Sequence, residues 1–503
     1  MTGSKIIMAT AVITLLARLL SLINIQVYMA VFGPTDDYIN IYSYALNIPN
    51  IMFNMLGTFI VAIVVPLYSS LLVTDKIKAK EFISSVITFV FLMVLALFIA
   101  GFLAAGAIAG LFPYSDRYFL IYALRIMLGA MFLYGFHYIF QGILHSHGKF
   151  LLPAFVAAPS SLFIIGYVLF FGKTYGVNGL LYATLIGLSL QGLILFPSVL
   201  KLKIGYKLTV DLNNPEIKQA LKLAPPVLVS VFSFQITSFF NSTMAFQFNM
   251  VTLVSYTQNL MLVTILSLVY SLTAVYLPKL TRLWQESKDA FKSTLEDLIL
   301  ILLFFLIPSV LGFVVLSREI IELLAHWGDF GDDNAVIAST MLALYGLSIV
   351  SIGLKELMDR AYYAQKNSII PGVFGFLIMT VNIVFTLFTI NYFGFFTMPV
   401  SYFVSTTIGT LGLILLMHKK IGLVNKRIFI SVLKFVLSAF LMAGALYFIM
   451  PWIRGIYFGP EISTRMLRLA LPAILGATVY FGCALVFKVE QLREVMGISG
   501  KNK

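Results

Sequence analysis

Residues 82–111 read FISSVITFVFLMVLALFIAGFLAAGAIAGL, thirty positions without a charged side chain. A helix rises roughly 1.5 Å per residue, so about 20 apolar residues cross the hydrocarbon of a bilayer. Inside lipid the backbone has to satisfy its own hydrogen bonds, and a helix does so within one segment. Working outward, comparable runs cover 6–32, 39–73, 119–144, 151–171, 176–199, 219–245, 251–278, 291–316, 335–364, 370–392, 395–417, 428–452 and 465–487. Composition agrees: 60% of the 503 residues are apolar and 11% are charged, against roughly 25% charged in a soluble domain. Mean hydropathy is +0.97. A soluble globular protein is excluded. The expectation is an all-α integral membrane protein with 14 transmembrane helices, numbered below as spans in chain order. The first run is too long, and lacks the small-residue cleavage pattern, for a cleavable signal peptide. The lone cysteine, Cys483, has no internal disulfide partner.

Net charge is +13. The basic residues sit in short loops and form no basic domain, which points to topology and contact with membrane lipids rather than to nucleic acid. Counting Lys and Arg in alternate loops puts 24 on one side and 6 on the other, with Arg18, Arg125, Lys355 and Lys434 inside spans. By the positive-inside rule both termini face the cytoplasm, as expected of a multi-pass inner-membrane protein, and the alternation supports an even span count. The longest basic loop, 200–224, holds Asn214-Pro215-Glu216, a cap–proline–acid helix start that predicts a short amphipathic cytoplasmic helix.

The chain repeats itself. Val65-Pro66-Leu67-Tyr68 matches Leu277-Pro278-Lys279-Leu280, with the prolines 212 residues apart. Gly148 to Pro153 matches Lys366 to Pro371 at an offset of 218, and Lys203-Ile204-Gly205 matches Lys420-Ile421-Gly422 at 217. Spans 1–6 (residues 1–205) therefore pair with spans 7–12 (206–422), and 423–503 adds two C-terminal helices and a tail. An even number of spans per copy gives two like-oriented six-helix bundles, related by an axis along the membrane normal. Two such bundles suit alternating access around a midplane cavity; the other reading is a duplicated structural bundle with no substrate.

Polar residues within the spans are the candidate site. Arg18 lies mid-span, where a cation costs about 2.5–3.5 kcal/mol on insertion scales and needs a partner or water. It either contacts an anion or pairs with a carboxylate such as Asp37. Span 2 carries Asn40, Ser43, Asn47, Asn50 and Asn54 at spacings of 3, 4, 3 and 4, all on one face. Pro49 interrupts that face and frees a backbone carbonyl. The stripe fits a cavity wall and equally fits interhelical glue. After Pro225-Pro226, span 7 has Ser230, Ser233, Thr237 and Asn241, and span 11 has Asn382, Thr386 and Thr389; both sets fit packing contacts better than ligands. Span 10 ends in Lys355-Glu356-Leu357-Met358-Asp359-Arg360, with two i, i+4 opposite-charge pairs, a charged gate or a self-satisfied helix end. His137 shares a face with Gln141 and reads as a packed histidine. No phosphate loop, nucleophile elbow or metal motif is present, so neither an enzyme nor a cofactor nor a metal is expected.

Leu124-Arg125-Ile126-Met127, Gly142-Ile143-Leu144, Gly148-Lys149-Phe150 and Pro153-Ala154 together resemble the span 4–5 signature of the MurJ (MviN) lipid II flippase family. Asn47-Ile48-Pro49-Asn50 with Val65-Pro66 is similar to its span 2, Glu322 to Phe330 to the segment before span 10, and Arg360-Ala361-Tyr362-Tyr363-Ala364 to the close of span 10. The resemblance covers spans 1–12. It implies a two-bundle exporter, of a superfamily shared with drug/cation antiporters and polysaccharide flippases. It implies outward transport of the undecaprenyl-pyrophosphate-linked peptidoglycan precursor, and hence a polyprenyl-pyrophosphate-linked glycan as the partner. It also implies a cationic cavity for the pyrophosphate and a groove at spans 13 and 14 for the polyprenyl tail. Arginine–phosphate contacts give that cavity its physical sense.

Arg18 matches the first cavity arginine of the family. The next arginine and its acidic neighbour fall on Asn24 and Ile25, the span 2 arginine pair on about Phe53 and Asn54, and the span 8 arginine on Asn259. Some relatives place a carboxylate sodium site between spans 7, 11 and 12, which hold no Asp or Glu here. The expected substrate contacts are Arg18 with Asn24 and Asn259 at cavity positions, Asn47, Asn50 and Asn54 for sugar or peptide, and Lys355 and Arg360 at the cytoplasmic opening. The lost arginines keep another polyprenyl-linked polysaccharide open as cargo. A drug/cation antiporter and a non-transporting scaffold stand further off.

Overall fold

The computed structural model describes residues 3–110, 116–209, 211, 214–455 and 462–495, and every element among them is a helix. In chain order these are α1 (Gly3–Phe32), α2 (Asp37–Phe59), α3 (Val65–Thr74), α4 (Lys76–Gly110), α5 (Arg117–Ser146), α6 (Leu151–Phe155), α7 (Ala157–Leu200), α8 (Pro215–Phe246) and α9 (Val251–Glu286). There follow α10 (Lys288–Leu324), α11 (Asp332–Gly346), α12 (Ile349–Ala364), α13 (Ile369–Phe393), α14 (Thr397–Ile421), α15 (Lys426–Gly455), α16 (Ile462–Val486) and α17 (Glu490–Val495). Among the described residues nine helical runs are long and apolar enough to cross a membrane, or ten when α11 and α12, bent by 44°, count as one span. Two runs, Leu151–Leu200 and Ile369–Ile421, are 50 and 53 residues long, more than twice what a bilayer needs. Each is broken at a glycine with positive φ, Gly176 at 60° and Gly394 at 54°. The chain is an all-α, multi-pass membrane protein.

Helix ends lie beyond the apolar runs because the outer turns are capped rather than apolar. The Asp36 carboxylate accepts from Ile39 N at 3.0 Å, the Asp116 carboxylate from Phe119 N at 2.9 Å and the Ser287 hydroxyl from Ala290 N at 3.2 Å, each satisfying an amide the helix itself leaves open. The short amphipathic helix expected at 214 is not separate. Asn214 does cap a helix, accepting from Glu216 N at 2.9 Å and Ile217 N at 3.3 Å, but α8 then continues unbroken through Pro225-Pro226 to Phe246. The irregularity in the second span lies at Ile60–Val64, a π-helical segment between α2 and α3. Pro49 sits buried inside a continuous α2.

The chain divides into two compact units, residues 1–253 with 328–330, and residues 254–327 with 331–503. The first unit extends past residue 205 because α8 packs on α2. The core of the first unit joins Phe53 and Leu56 of α2, Ile60 and Ile63 of the π segment, Tyr68 of α3, Phe82 and Val86 of α4, and Met131 and Ile143 of α5. The turn Gly328–Phe330 packs on α1. Gly328 has φ 55°, and a Cβ there would stand 2.1 Å from the Ala30 carbonyl oxygen; only glycine fits.

The second unit is built on α10, which packs against α11, α12, α15 and α16. Pro308 lies inside α10 and has no N–H for the Phe304 carbonyl one turn back. The Tyr480 hydroxyl of α16 donates to that carbonyl at 2.7 Å, fully buried. One proline thus creates the acceptor that fastens α16 to α10.

Candidate functional site

The first unit holds Arg18, Asn24, Asn47, Asn50 and Asn54; the second holds Asn259, Lys355 and Arg360. Arg18 is exposed on α1. It lies fourteen residues before the end of that helix, roughly 21 Å along it, whereas Asp37 opens α2 and accepts from the Asn249 side chain. Asn24 is partly buried, and its Oδ1 has no hydrogen-bond partner among the described residues. An orphaned buried acceptor costs about 1–3 kcal/mol, which marks a place where water or a ligand group is wanted.

The polar face of α2 divides in two. Asn40 is fully buried and spent on structure: its Nδ2 donates to Pro34 O at 3.1 Å and Asp36 O at 2.9 Å, and its Oδ1 accepts from Thr252 N at 3.2 Å. Ser43 shares a 2.8 Å hydrogen bond with Thr252. These two residues are glue. Further along, Asn47 and Asn50 are partly buried and Asn54 is exposed. Asn47 Nδ2 is buried without a partner. Asn54 Nδ2 donates to Asn50 O at 3.0 Å and reaches Gln235 Oε1 of α8 at 3.4 Å. Gln235 was not on the expected polar stripe of span 7; only its amide type could have drawn attention to it.

The stripe on α8 serves its own helix. Ser233 donates to Val229 O at 2.8 Å and Thr237 to Ser233 O at 2.9 Å, the back-bonding common for hydroxyls in helices. The side chain of Ser230 lies outside the described residues. Asn241 is different: it is buried, and neither its Nδ2 nor its Oδ1 finds a partner among the described residues. Asn382 of α13 donates to Ser401 Oγ of α14 at 3.1 Å and acts as interhelical glue.

In the second unit Asn259 is exposed and donates to Ser255 O of its own helix at 2.8 Å. Lys355 Nζ lies 2.6 Å from Asp359 Oδ2 and 3.8 Å from Glu356 Oε1. The Lys355 side chain is 18% exposed and that of Asp359 only 7%, so the pair is largely withdrawn from water. Arg360 is partly buried one residue further on. Sequence reasoning missed a second ion pair, the buried Glu319 of α10 with the half-exposed Arg454 of α15 at 2.7 Å. Arg465 joins it nearby, donating to the Glu322 carbonyl at 3.1 Å and lying over the Trp327 ring at 4.5 Å. The only sequence signal was that these arginines sit on the basic-poor side. Among the described residues no group of His, Cys, Asp and Glu is arranged to hold a metal ion.

In the first unit Asn24 and Asn47, each with a buried polar atom that no described residue satisfies, and the exposed Arg18 are groups that can bind and orient a polar cargo. The architecture is that of an all-helical, multi-pass membrane chain of two compact units. A solved lipid II flippase MurJ in an inward closed conformation superimposes with a TM-score of 0.78, covering 97% of this chain and 99% of that one at 22% identity. An inward-facing multidrug resistance MATE family transporter of the MOP superfamily gives 0.64, covering 82% and 98% at 16% identity. Among curated relatives, the probable lipid II flippase MurJ of Bdellovibrio bacteriovorus is 24% identical over 74% of this chain and 71% of its own length. The lipid II flippase MurJ of Thermosipho africanus is 24% identical over 81% and 83%. The family described as lipid II flippase MurJ matches residues 29–460. The chain belongs to that family, which is one of transporters and not of enzymes.

Proposed function

We propose that this chain moves undecaprenyl-pyrophosphate-linked peptidoglycan precursor, lipid II, outward across the bacterial inner membrane by alternating access. The observation that carries the reading is membership of the lipid II flippase family across residues 29–460. The half of the α2 polar face that packing leaves open fits a cargo rich in hydroxyls and amides. The apolar runs support about fourteen crossings, and the 24-to-6 distribution of basic loop residues supports an even count with cytoplasmic termini. The units of duplication are 1–205 and 206–422, with 423–503 an addition.

In this reading Arg18 and Asn24 meet the pyrophosphate, through a charge-assisted contact and an amide. Asn47, Asn50 and Asn54 hydrogen-bond the sugar or peptide, and Asn259 serves the same cargo from α9. Lys355 and Arg360 stand at the cytoplasmic opening. A second cargo, another polyprenyl-linked polysaccharide, is favoured by one observation: Asn54, at a family arginine position, is engaged in a neutral amide contact with Gln235 at 3.4 Å.

Expression in cells depleted of their own lipid II flippase tests the proposal. Growth with lipid II labelled at the outer face supports it. A protein that is folded and present in the membrane, yet restores neither, assigns the chain to the polysaccharide cargo.

A further inference from the structure

The basic end of the last two long helices, whose apolar length the family resemblance gives to the polyprenyl tail, holds a cavity with polar and charged walls to which no role has been given. Arg427, Ser431 and Lys434 recur at i, i+4 and i+7 on α15 and share one face. With Lys488, Glu490 and Gln491 they line a cavity of about 200 Å³. Its far wall is the turn between α16 and α17. Lys488 sits there at φ 51°, and Val489 N closes the turn on Ala484 O at 2.9 Å.

The charges do not balance. Arg427 is committed, donating to Asp297 of α10 at 3.0 Å and to Glu490 of α17 at 3.2 Å. Lys434 and Lys488 have no carboxylate within ion-pair distance among the described residues, while Glu490, the one acidic residue of the lining, already takes Arg427. Lys434 lies eight residues inside α15, roughly 12 Å from its start, and is partly buried. A lysine that deep in an apolar span needs an anion or water. Gln491 supplies a second polar signal: it is 2% exposed, and its buried Oε1 has no donor. Beside the cavity, α15 presents Phe429, Ile430 and Leu433 outward, 69%, 41% and 49% exposed.

An occupant has to bring one negative group for two lysines, a hydroxyl donor for the Gln491 oxygen, and an apolar body to lie along the open face of α15. We propose that this cavity holds the headgroup of an anionic phospholipid of the phosphatidylglycerol type, drawn from the leaflet at the basic end of the spans. The phosphate sits between Lys434 and Lys488, a glycerol hydroxyl donates to Gln491, and the acyl chains run beside Phe429 and Leu433. Basic pockets between membrane helices at this depth suit such headgroups. A lipid there bridges α15 to the α16–α17 turn and stiffens the joint that Arg427 makes with α10. The proposal does not depend on which cargo the protein moves.

Native mass spectrometry of the full chain, purified in detergent and titrated with phosphatidylglycerol, tests it. The wild type should retain one tightly held lipid. Lys488→Met and Lys434→Met should each weaken it by about fivefold, and the two together by about thirtyfold. Lys434→Arg should keep it. Lys488 is exposed, so its variant keeps the test informative if Lys434→Met fails to fold. Unchanged retention in Lys488→Met, or equal retention of phosphatidylethanolamine, overturns the proposal. Displacement by millimolar inorganic phosphate would make this a free-anion site, and displacement by equimolar polyprenyl pyrophosphate would hand it to the cargo; either result also overturns it.

Discussion

Tyr480→Phe removes one oxygen atom and keeps the ring that packs against Phe304 with centroids 5.4 Å apart. The hydroxyl is buried and donates at 2.7 Å to the Phe304 carbonyl, which Pro308 has deprived of its helical donor. Removing the hydroxyl leaves a buried carbonyl with nothing to accept from, and the expected loss is about 1–3 kcal/mol. The cause can be isolated, because Pro308→Ala restores an N–H one turn on and gives the carbonyl a donor within its own helix. In that background Tyr480→Phe should cost no more than about 0.5 kcal/mol, so the double-mutant cycle should return a coupling energy of about 1 kcal/mol or more. Reversible unfolding of the purified protein in mixed micelles, titrated with a denaturing detergent, measures all four variants. Equal losses from Tyr480→Phe with and without Pro308 would refute the reasoning: the hydroxyl would then be contributing something other than replacement of the missing helical donor.

Lys355→Met strands the Asp359 carboxylate, already buried with its Oδ1 unpartnered, and should cost about 3–5 kcal/mol in the same assay, while Lys355→Met with Asp359→Leu should recover most of the loss. If that double variant is stable and still rescues a flippase-depleted cell, Lys355 has no part in handling cargo. Gly328→Ala places a Cβ 2.1 Å from the Ala30 carbonyl oxygen at φ 55°; the turn has to move off α1, and limited proteolysis should cut near 328 at rates the wild type does not show. Arg18→Ala should abolish rescue and Arg18→Lys restore it in part, since lysine keeps the charge without the planar fork; full rescue by the alanine variant removes Arg18 from the site. Asn47→Ala should lower transport without a measurable loss of stability, whereas Asn40→Ala, which breaks three hydrogen bonds, should destabilise by about 2 kcal/mol or more; the same effect from both would erase the division drawn along α2.

That division shows where sequence reading succeeds and where it stops. The all-helical membrane class was legible because the lipid requirement acts on every residue of a run: 82–111 announces a crossing from its own composition, and α4 covers it as far as Gly110. The helix starts were partly legible because a cap is local, as at Asn214. The continuity of α8 was not legible, because whether a capped amphipathic turn stops or runs on through Pro225-Pro226 depends on its neighbours. The same limit governs the site. Spacing places Asn40, Ser43, Asn47, Asn50 and Asn54 on one face, and no periodicity separates them. What separates them is Thr252, more than two hundred residues away, which meets Asn40 and Ser43. Lys355 with Asp359 could be read because the pair is one helical turn apart. Glu319 with Arg454, 135 residues apart, could not. A polar residue in a span is therefore a candidate ligand only once its long-range partners are known, and by that criterion Asn24 and Asn47, with one orphaned atom each, are stronger candidates than the fully bonded asparagine that opens the stripe.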